Sequence, residues 1–340
     1  MEPASREPSM GGTSLIRHVA VCLDRSPLGD RLVPHAVALA RAFAASLTVL
    51  HALEPPHDGA ETGPTDPLDW EIQRTEARRH LAAIESKAAA ADLPVGIEIL
   101  EGHPAEELRD WVSRHSVDLT VLGSHGASGW TEWSLASTAR KLVEGISGSV
   151  LLVPAWSVQQ PQKDEITYDR ILVPLDGSPR AESALPPALS VARAHASELL
   201  LLHIVPRPER SCPCPHDEDE PDLEQRIVER NTHAAETYLE GMRKHVIGDG
   251  LRVRTLVAID GDVRSELLRR IAEDHVDLVV LSGHGRGGRA ELPFGSVASF
   301  LLEHATVPLL VVRERGARTT RTLPTSHSQG GARRPQLATP

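Results

Sequence analysis

Short apolar runs rich in Val, Ile and Leu alternate along the chain with longer stretches in which apolar residues recur at helical spacing. That alternation predicts βαβ units and a parallel sheet covered on both faces. Ten strands are predicted, at about 17–23, 46–53, 94–100, 117–123 and 148–153, then at about 169–175, 198–205, 251–259, 276–282 and 307–312. Two of the intervening segments, Asp30–Ala45 and Arg180–Ala196, are Ala-rich and amphipathic. Each is entered through Ser-Pro (Ser26-Pro27, Ser178-Pro179), where the serine caps and the proline takes the first helical position. Pro186 and Pro187 predict a kink early in the second. Glu54–Asp69 and Pro206–Asp222 are Pro-rich, charged and aperiodic, as exposed loops are.

The two sets of five strands are copies of one unit. His18-Val-Ala-Val-Cys-Leu-Asp24 lies over Arg170-Ile-Leu-Val-Pro-Leu-Asp176 and Leu47-Thr-Val-Leu-His51-Ala52 over Leu199-Leu-Leu-Leu-His203-Ile204, 152 residues on. Val117-Asp118-Leu-Thr-Val-Leu-Gly123-Ser-His125-Gly126 then matches Val276-Asp277-Leu-Val-Val-Leu-Ser282-Gly283-His284-Gly285 at a spacing of 159. Such self-similarity decides the architecture before any motif does. The expected fold class is α/β, with two tandem Rossmann-like domains, each a five-stranded parallel sheet with helices on both faces. The expected organisation is a disordered tail at 1–14, a first domain at 15–156, a linker at 157–168, a second domain at 169–313 and a disordered Arg-rich tail at 314–340.

Charge narrows the partners. The 28 residues from Arg313 hold six Arg and one Glu, a balance of +5 inside a total of −11, leaving −16 on residues 1–312. So acidic a body repels a phosphodiester backbone, and no nucleic-acid partner is expected. No apolar run reaches the roughly 18 residues of a membrane span, and the N-terminal residues lack the apolar core of a signal peptide. The expectation is a cytoplasmic protein without a membrane partner. Three cysteines, Cys22, Cys212 and Cys214, imply no disulfide framework, and the Cys212-Pro-Cys214 spacing does not suit zinc.

After its fourth strand each copy has a glycine-bearing loop leading to a Ser-led helix: Gly123-Ser-His-Gly126, nine residues, Ala136-Ser137; and Ser282-Gly283-His-Gly285, nine residues, Gly295-Ser296. Glycines let the backbone approach a ligand, and the free amides of a helix start suit an anion. The loops open at the carboxyl edge of the sheet, where ligands of open α/β sheets bind, beside Asp24 or Asp176 at the end of strand one. A carboxylate there can accept from a ribose but repels bare phosphate, so a nucleoside phosphate fits better than an inorganic anion. The second loop, with Arg286, Gly287, Gly288 and Arg289, suits a phosphate chain better than the first, with Trp130, Glu132 and Trp133.

These residues resemble the universal stress protein family in its tandem form, over nearly all of 15–313. The family pattern is Gly-x-x-Gly, nine residues, then Gly followed by Ser or Thr. The chain departs from it at Ala136 and at Ser282, which is followed by Gly283. The resemblance implies an adenine nucleotide, ATP with or without Mg, as ligand and no metal site built by the protein itself. It implies that Asp24 and Asp176 meet the ribose or adenine side and that Ala52 and Ile204 line the adenine pocket. Gly123, Gly126 and Ser137 in the first copy, and Gly283, Gly285, Gly295 and Ser296 with Arg286 in the second, would hold phosphates. It further implies a stress-response regulator without efficient catalysis, and last strands (150–154 and 307–312) that pair edge to edge. In a tandem chain that pairing can form within one molecule, a homodimer being the further option.

Alternatives remain at this stage. A slow ATPase lacks support from any P-loop Lys or from a base beside the phosphates, and a ligand-free interaction module would need the glycines only for tight turns. Asp24 and Asp176 could simply cap the following turn, and His51 and His203 read as core histidines.

Overall fold

The computed structural model describes residues 16–24, 26–54, 67–89, 93–125, 137–155, 165–207, 220–247, 250–287 and 292–313. Gly126, Trp130, Glu132, Trp133, Ala136, Gly288, Arg289, Cys212 and Cys214 lie outside them.

Ten strands form where the apolar runs predict them. The first half holds β1 (His18–Leu23), β2 (Ser46–Leu53), β3 (Val95–Glu101), β4 (Leu119–Gly123) and β5 (Ser149–Val153). The second holds β6 (Arg170–Pro174), β7 (Glu198–Pro206), β8 (Arg252–Asp260), β9 (Leu278–Ser282) and β10 (Leu309–Val312). Helices α1 (Pro27–Phe43), α2 (Pro67–Ala89), α3 (Pro104–Arg114) and α4 (Ser137–Gly145) connect the first set. Helices α5 (Pro179–Glu182), α6 (Leu185–His195), α7 (Glu220–Val246), α8 (Val263–Glu273) and α9 (Ser296–His304) connect the second.

The strands make one continuous sheet in the order β3-β2-β1-β4-β5-β10-β9-β6-β7-β8. Every neighbouring pair is parallel except β5 with β10, which is antiparallel, with Leu310 opposite Leu151. Those two leucines are 159 residues apart, the spacing that relates the two copies, so a pseudo-two-fold axis passes between them. The expected edge-to-edge pairing thus forms within one chain. It also leaves neither last strand as an open edge, where unpaired amides would invite association.

Local chemistry fixes the repeated elements. Ser26 caps α1 by accepting from Gly29 N (3.2 Å), and Ser178 caps α5 by accepting from Ala181 N (3.2 Å). The helix that follows β6 breaks between Glu182 and Leu185, just before Pro186 and Pro187, because neither proline can donate to the preceding turn. Asp118 Oδ2 accepts from the amides of Arg17 (2.9 Å) and His18 (3.0 Å), tying the entry of β1 to β4. Its copy Asp277 holds Asp169 N (2.6 Å) and Arg170 N (3.1 Å) in the same way.

Two expectations need correction. The Pro-rich stretches end earlier than composition suggests: Pro67–Asp69 already belong to α2 and Glu220–Asp222 to α7, since proline is at home in the first turn of a helix. Pro206 closes β7 instead of opening a loop.

The halves share their cores. Buried residues of α1 and β1 form one apolar cluster with those of α6, β6 and β7 on one face of the sheet, and α3, α4, α8 and α9 bury a second cluster on the other. Tyr168, at 1% exposure, donates or accepts at 2.8 Å with His35 Nδ1 on α1. Arg140 on α4 pairs with Glu303 on α9 at 2.7 Å. Among the described residues no helix is long and apolar enough to cross a membrane.

Candidate functional site

In the second half β6 delivers Asp176 to the carboxyl edge of the sheet, and β9, its neighbour, delivers the glycine loop beside it. The carboxylate organises both. Its Oδ1 accepts from Ser178 N (2.9 Å) and Ser178 Oγ (2.6 Å), and its Oδ2 from Arg286 N (2.6 Å). Burial acts to raise its pKa, but the hydroxyl and amide donors of Ser178 and Arg286, with the Arg286 guanidinium, outweigh it and hold the carboxyl below its ordinary value. Asp176 is therefore ionised near neutrality and clamps the loop.

That clamp explains one glycine. A Cβ on Gly285 would lie closer than 3.0 Å to Asp176 Oδ2, so a side chain there requires the hydrogen-bonded carboxylate or the loop to shift. Gly177 adopts φ +77°, which disfavours side chains, with the Arg286 guanidinium alongside.

Gly295 is different. Its N–H donates to Gly283 O (2.8 Å), which brings the start of α9 against the loop. Its φ of −74° and ψ of 166° are open to any residue. A Cβ there would meet Gly283 O, His284 Cα and Gly285 N only at 3.6–3.9 Å, ordinary contact distances. Neither backbone nor packing demands this glycine. What it leaves is room directly over the first turn of α9, where no side chain caps the amides. Ser296 is exposed at that turn, and His284 Nε2 fixes the loop's far end through Leu292 O (2.9 Å). Ile204, on β7 beside β6, is half-buried. The expected residues Asp176, Ile204, Gly283, Gly285, Arg286, Gly295 and Ser296 thus gather at one end of the β7-β6-β9 strands.

The first half repeats the frame. Asp24 Oδ1 accepts from Ser26 N (3.1 Å) and from Ser26 Oγ. Gly123 ends β4, where a Cβ would strike Leu28 Cδ2 at 2.8 Å. Ala52 is half-buried on β2, and Ser137 opens α4, its side chain not described. Ser124 Oγ accepts from Ala155 N (2.8 Å) and pairs with His125 Nδ1 (3.0 Å). Gly126 and Ala136 lie outside the described residues.

The sequence reading missed three parts of the frame. Ser26 and Ser178 act on the aspartates as well as capping helices, a role the repeated Asp-x-Ser spacing announces. Gly29 cannot carry a side chain, because its Cβ would fall 2.5 Å from Asp24 O. His51 is buried with Nδ1 at 3.0 Å from Leu23 O, as a core histidine is, whereas His203 is only half-buried. Among the described residues no three His, Cys, Asp or Glu side chains form a group able to hold a metal ion.

Fold and site together define a class: two α/β units fused through their last strands, each presenting an Asp-x-Ser turn and a glycine loop at its carboxyl edge. The profile of the Universal stress protein family matches residues 15–154 and again 167–313, and the chain belongs to that family. A universal stress protein of Mycolicibacterium smegmatis is 27% identical over 311 residues, covering 87% of this chain and 97% of its own. Universal stress protein Rv2005c of Mycobacterium tuberculosis is 26% identical over 281 residues, covering 79% and 87%. The crystal structure of a universal stress protein from Archaeoglobus fulgidus superposes with a TM-score of 0.60, covering 90% of this chain and all of that one, at 17% identity, a likeness of fold alone.

Proposed function

We propose that the protein binds an adenine nucleotide, ATP in the first instance, in its second half, and serves as a stress-response regulator whose occupancy rather than turnover is the signal. The observation that carries this reading is Gly295: a glycine that neither conformation nor packing requires, set over the uncapped first turn of α9. Phosphate oxygens would accept from the α9 amides and the Ser296 hydroxyl, where the helix dipole favours negative charge. Arg286 would add its guanidinium from the loop. Gly283 and Gly285 would let the main chain approach, and Ile204 would offer an apolar wall to the base. Asp176, ionised and already accepting three hydrogen bonds, has lone pairs left for a ribose hydroxyl. Asp24, Ala52, Gly123, Gly126 and Ser137 would make the corresponding site of the first half. Mg, if it accompanies ATP, would be held by phosphates and water, which suits its reluctance to shed its shell.

A regulator of this kind needs no base beside the γ-phosphate, and the reading assigns none. The test is a melting-temperature titration with ATP on the native chain and on Gly295→Val. A ligand that binds only the folded state stabilises it by about 2.7 kcal/mol at a hundredfold excess over Kd. The native chain should rise with millimolar ATP, while Gly295→Val, whose branched side chain occupies the phosphate position, should rise less. No response from the native chain ends the proposal.

A further inference from the structure

Arg313 follows β10, and its side chain ties the two halves together at the second glycine loop. Its stem runs past Gly283, where a Cβ would meet both Arg313 Cγ and Phe294 Cδ1 at 3.6 Å. Its guanidinium carbon lies 4.1 Å from the centre of the Phe294 ring, and Nη2 donates to Pro293 O (3.3 Å). The same fork reaches the first half. There Nη2 donates to Val143 O (2.9 Å) and Nη1 to Ile146 O, carbonyls at the end of α4. The last carbonyls of a helix have no partner within it, and the dipole at that end favours a cation. A planar fork can serve three carbonyls and lie against a ring at once, which a compact ammonium cannot. The main chain follows the same path, with Arg313 N donating to Ser149 Oγ on β5 (3.3 Å).

What the guanidinium grips in its own half is the approach to α9. Pro293 and Phe294 immediately precede Gly295 and Ser296, and Phe294 is buried. Gly295 N donates to Gly283 O (2.8 Å), and Gly283 N donates to Val312 O (2.9 Å), next to Arg313 itself. Loop, helix start and arginine thus form one closed circuit, with its outer end resting on α4. Neither member of the cation–ring pair recurs in the first half: 159 positions earlier, Arg313 corresponds to Pro154 and Phe294 to Leu135.

We propose, resting on the nucleotide reading above, that Arg313 is a positioning residue for the nucleotide phosphates in the second half, with α4 of the first half as its anchor. It acts through the main chain from Pro293 to Ser296, aiming the α9 amides before a ligand arrives. A binding constellation works when its donors are held to within about 0.5 Å by such supporting contacts. The second site is therefore completed by the fusion, because the far end of the guanidinium has its acceptors only on the first half. The first site, with proline at 154, has no equivalent support.

Affinities for ATP and for adenosine, each measured by competition calorimetry on the full chain, test the assignment. Arg313→Gln should weaken ATP binding about tenfold, as loss of one charge-assisted hydrogen bond does. Adenosine should bind as before, since its contacts come from Asp176 and Ile204. Arg313→Lys should lose ATP affinity to the same extent, because the charge remains but the fork does not. Native ATP affinity in Arg313→Lys overturns the proposal by making the effect one of charge, and equal losses for both ligands overturn it by making the effect one of general stability. A native chain that binds ATP, with Arg313→Gln binding it equally well, ends this inference alone. A native chain that binds no ATP ends the nucleotide reading along with it. Should the Arg313 variants fail to fold, Phe294→Leu decides: a loss confined to ATP supports the positioning role, and unchanged ATP affinity refutes it.

Discussion

At the scale of single residues the glycines of the second site divide into those the protein needs and one it does not. Gly285→Ala drives a methyl against the Asp176 carboxylate, so either the clamp or the loop must shift. The expected outcome is a loss of about 1–3 kcal/mol in urea denaturation, as for other overpacked contacts, together with loss of ATP response. Gly295→Ala has room and an ordinary backbone conformation. It should leave stability unchanged or raise it by about 0.4–1 kcal/mol through the unfolded chain, while weakening nucleotide binding. If Gly295→Ala destabilises as much as Gly285→Ala, the distinction between a structural and a ligand-facing glycine fails. The sequence could not separate the two, because both appear there only as members of a spaced motif. What separates them is the position of Asp176 Oδ2, a contact between residues more than a hundred positions apart.

At the scale of elements, most of the fold was legible and the reasons are physical. Strands buried on both faces read as unbroken apolar runs, so their positions emerge to within about two residues from composition alone. The break between α5 and α6 was legible for a different reason, since Pro186 and Pro187 remove two donors from one turn. The starts of α2 and α7 were not, because Pro67 and Pro221 look like loop residues in sequence and like first-turn residues in three dimensions. The role of Val117-Asp118 and Val276-Asp277 was also hidden: the motif repeats, yet only coordinates show each aspartate gripping two amides at the entrance to a neighbouring strand. Asp118→Ala would leave the Arg17 and His18 amides without their acceptor. Unfolding free energy should fall by about 1–3 kcal/mol, measured by urea denaturation, with Asp118→Asn recovering part through its remaining carbonyl. Ser178→Ala combines two losses, a helix cap and a donor to Asp176. It should cost about 0.5–2 kcal/mol as caps do and lower ATP affinity besides.

At the scale of the whole molecule the halves behave as one body, and acid should reveal it. His35 on α1 is buried against Tyr168, and burial lowers its pKa to about 4. An unfolded histidine takes up its proton near pH 6.5, whereas the folded one stays neutral until about pH 4. The unfolded state binds the extra proton across that interval, so stability held above pH 6.5 drains as the pH falls toward 4, by about 3 kcal/mol in all. Urea denaturation at pH 7 and pH 4.5 should show this slope, and His35→Gln, which cannot titrate, should flatten it. An unchanged slope in His35→Gln would remove His35 as its source. The antiparallel junction makes a second demand. A chain holding only the first half would expose β5 as an edge beside uncovered apolar surface, and light scattering should find it paired or aggregated instead of monomeric.

Fusion of the halves also loosens a constraint that symmetric pairs cannot escape. When two identical chains meet across an axis, every substitution arrives twice, and a surface must stay complementary to itself. Here the axis runs through a single polypeptide, so one side can mutate alone. Arginine can stand at 313 while its counterpart at 154 is proline, and Gly295 can coexist with Ala136. The same junction turns the carboxyl edges of the two half-sheets in opposite directions, because β5 and β10 run antiparallel and their neighbours follow them. Whatever one mouth accepts, the other is shielded from it by the thickness of the sheet's own seam, and selection can specialise the two independently.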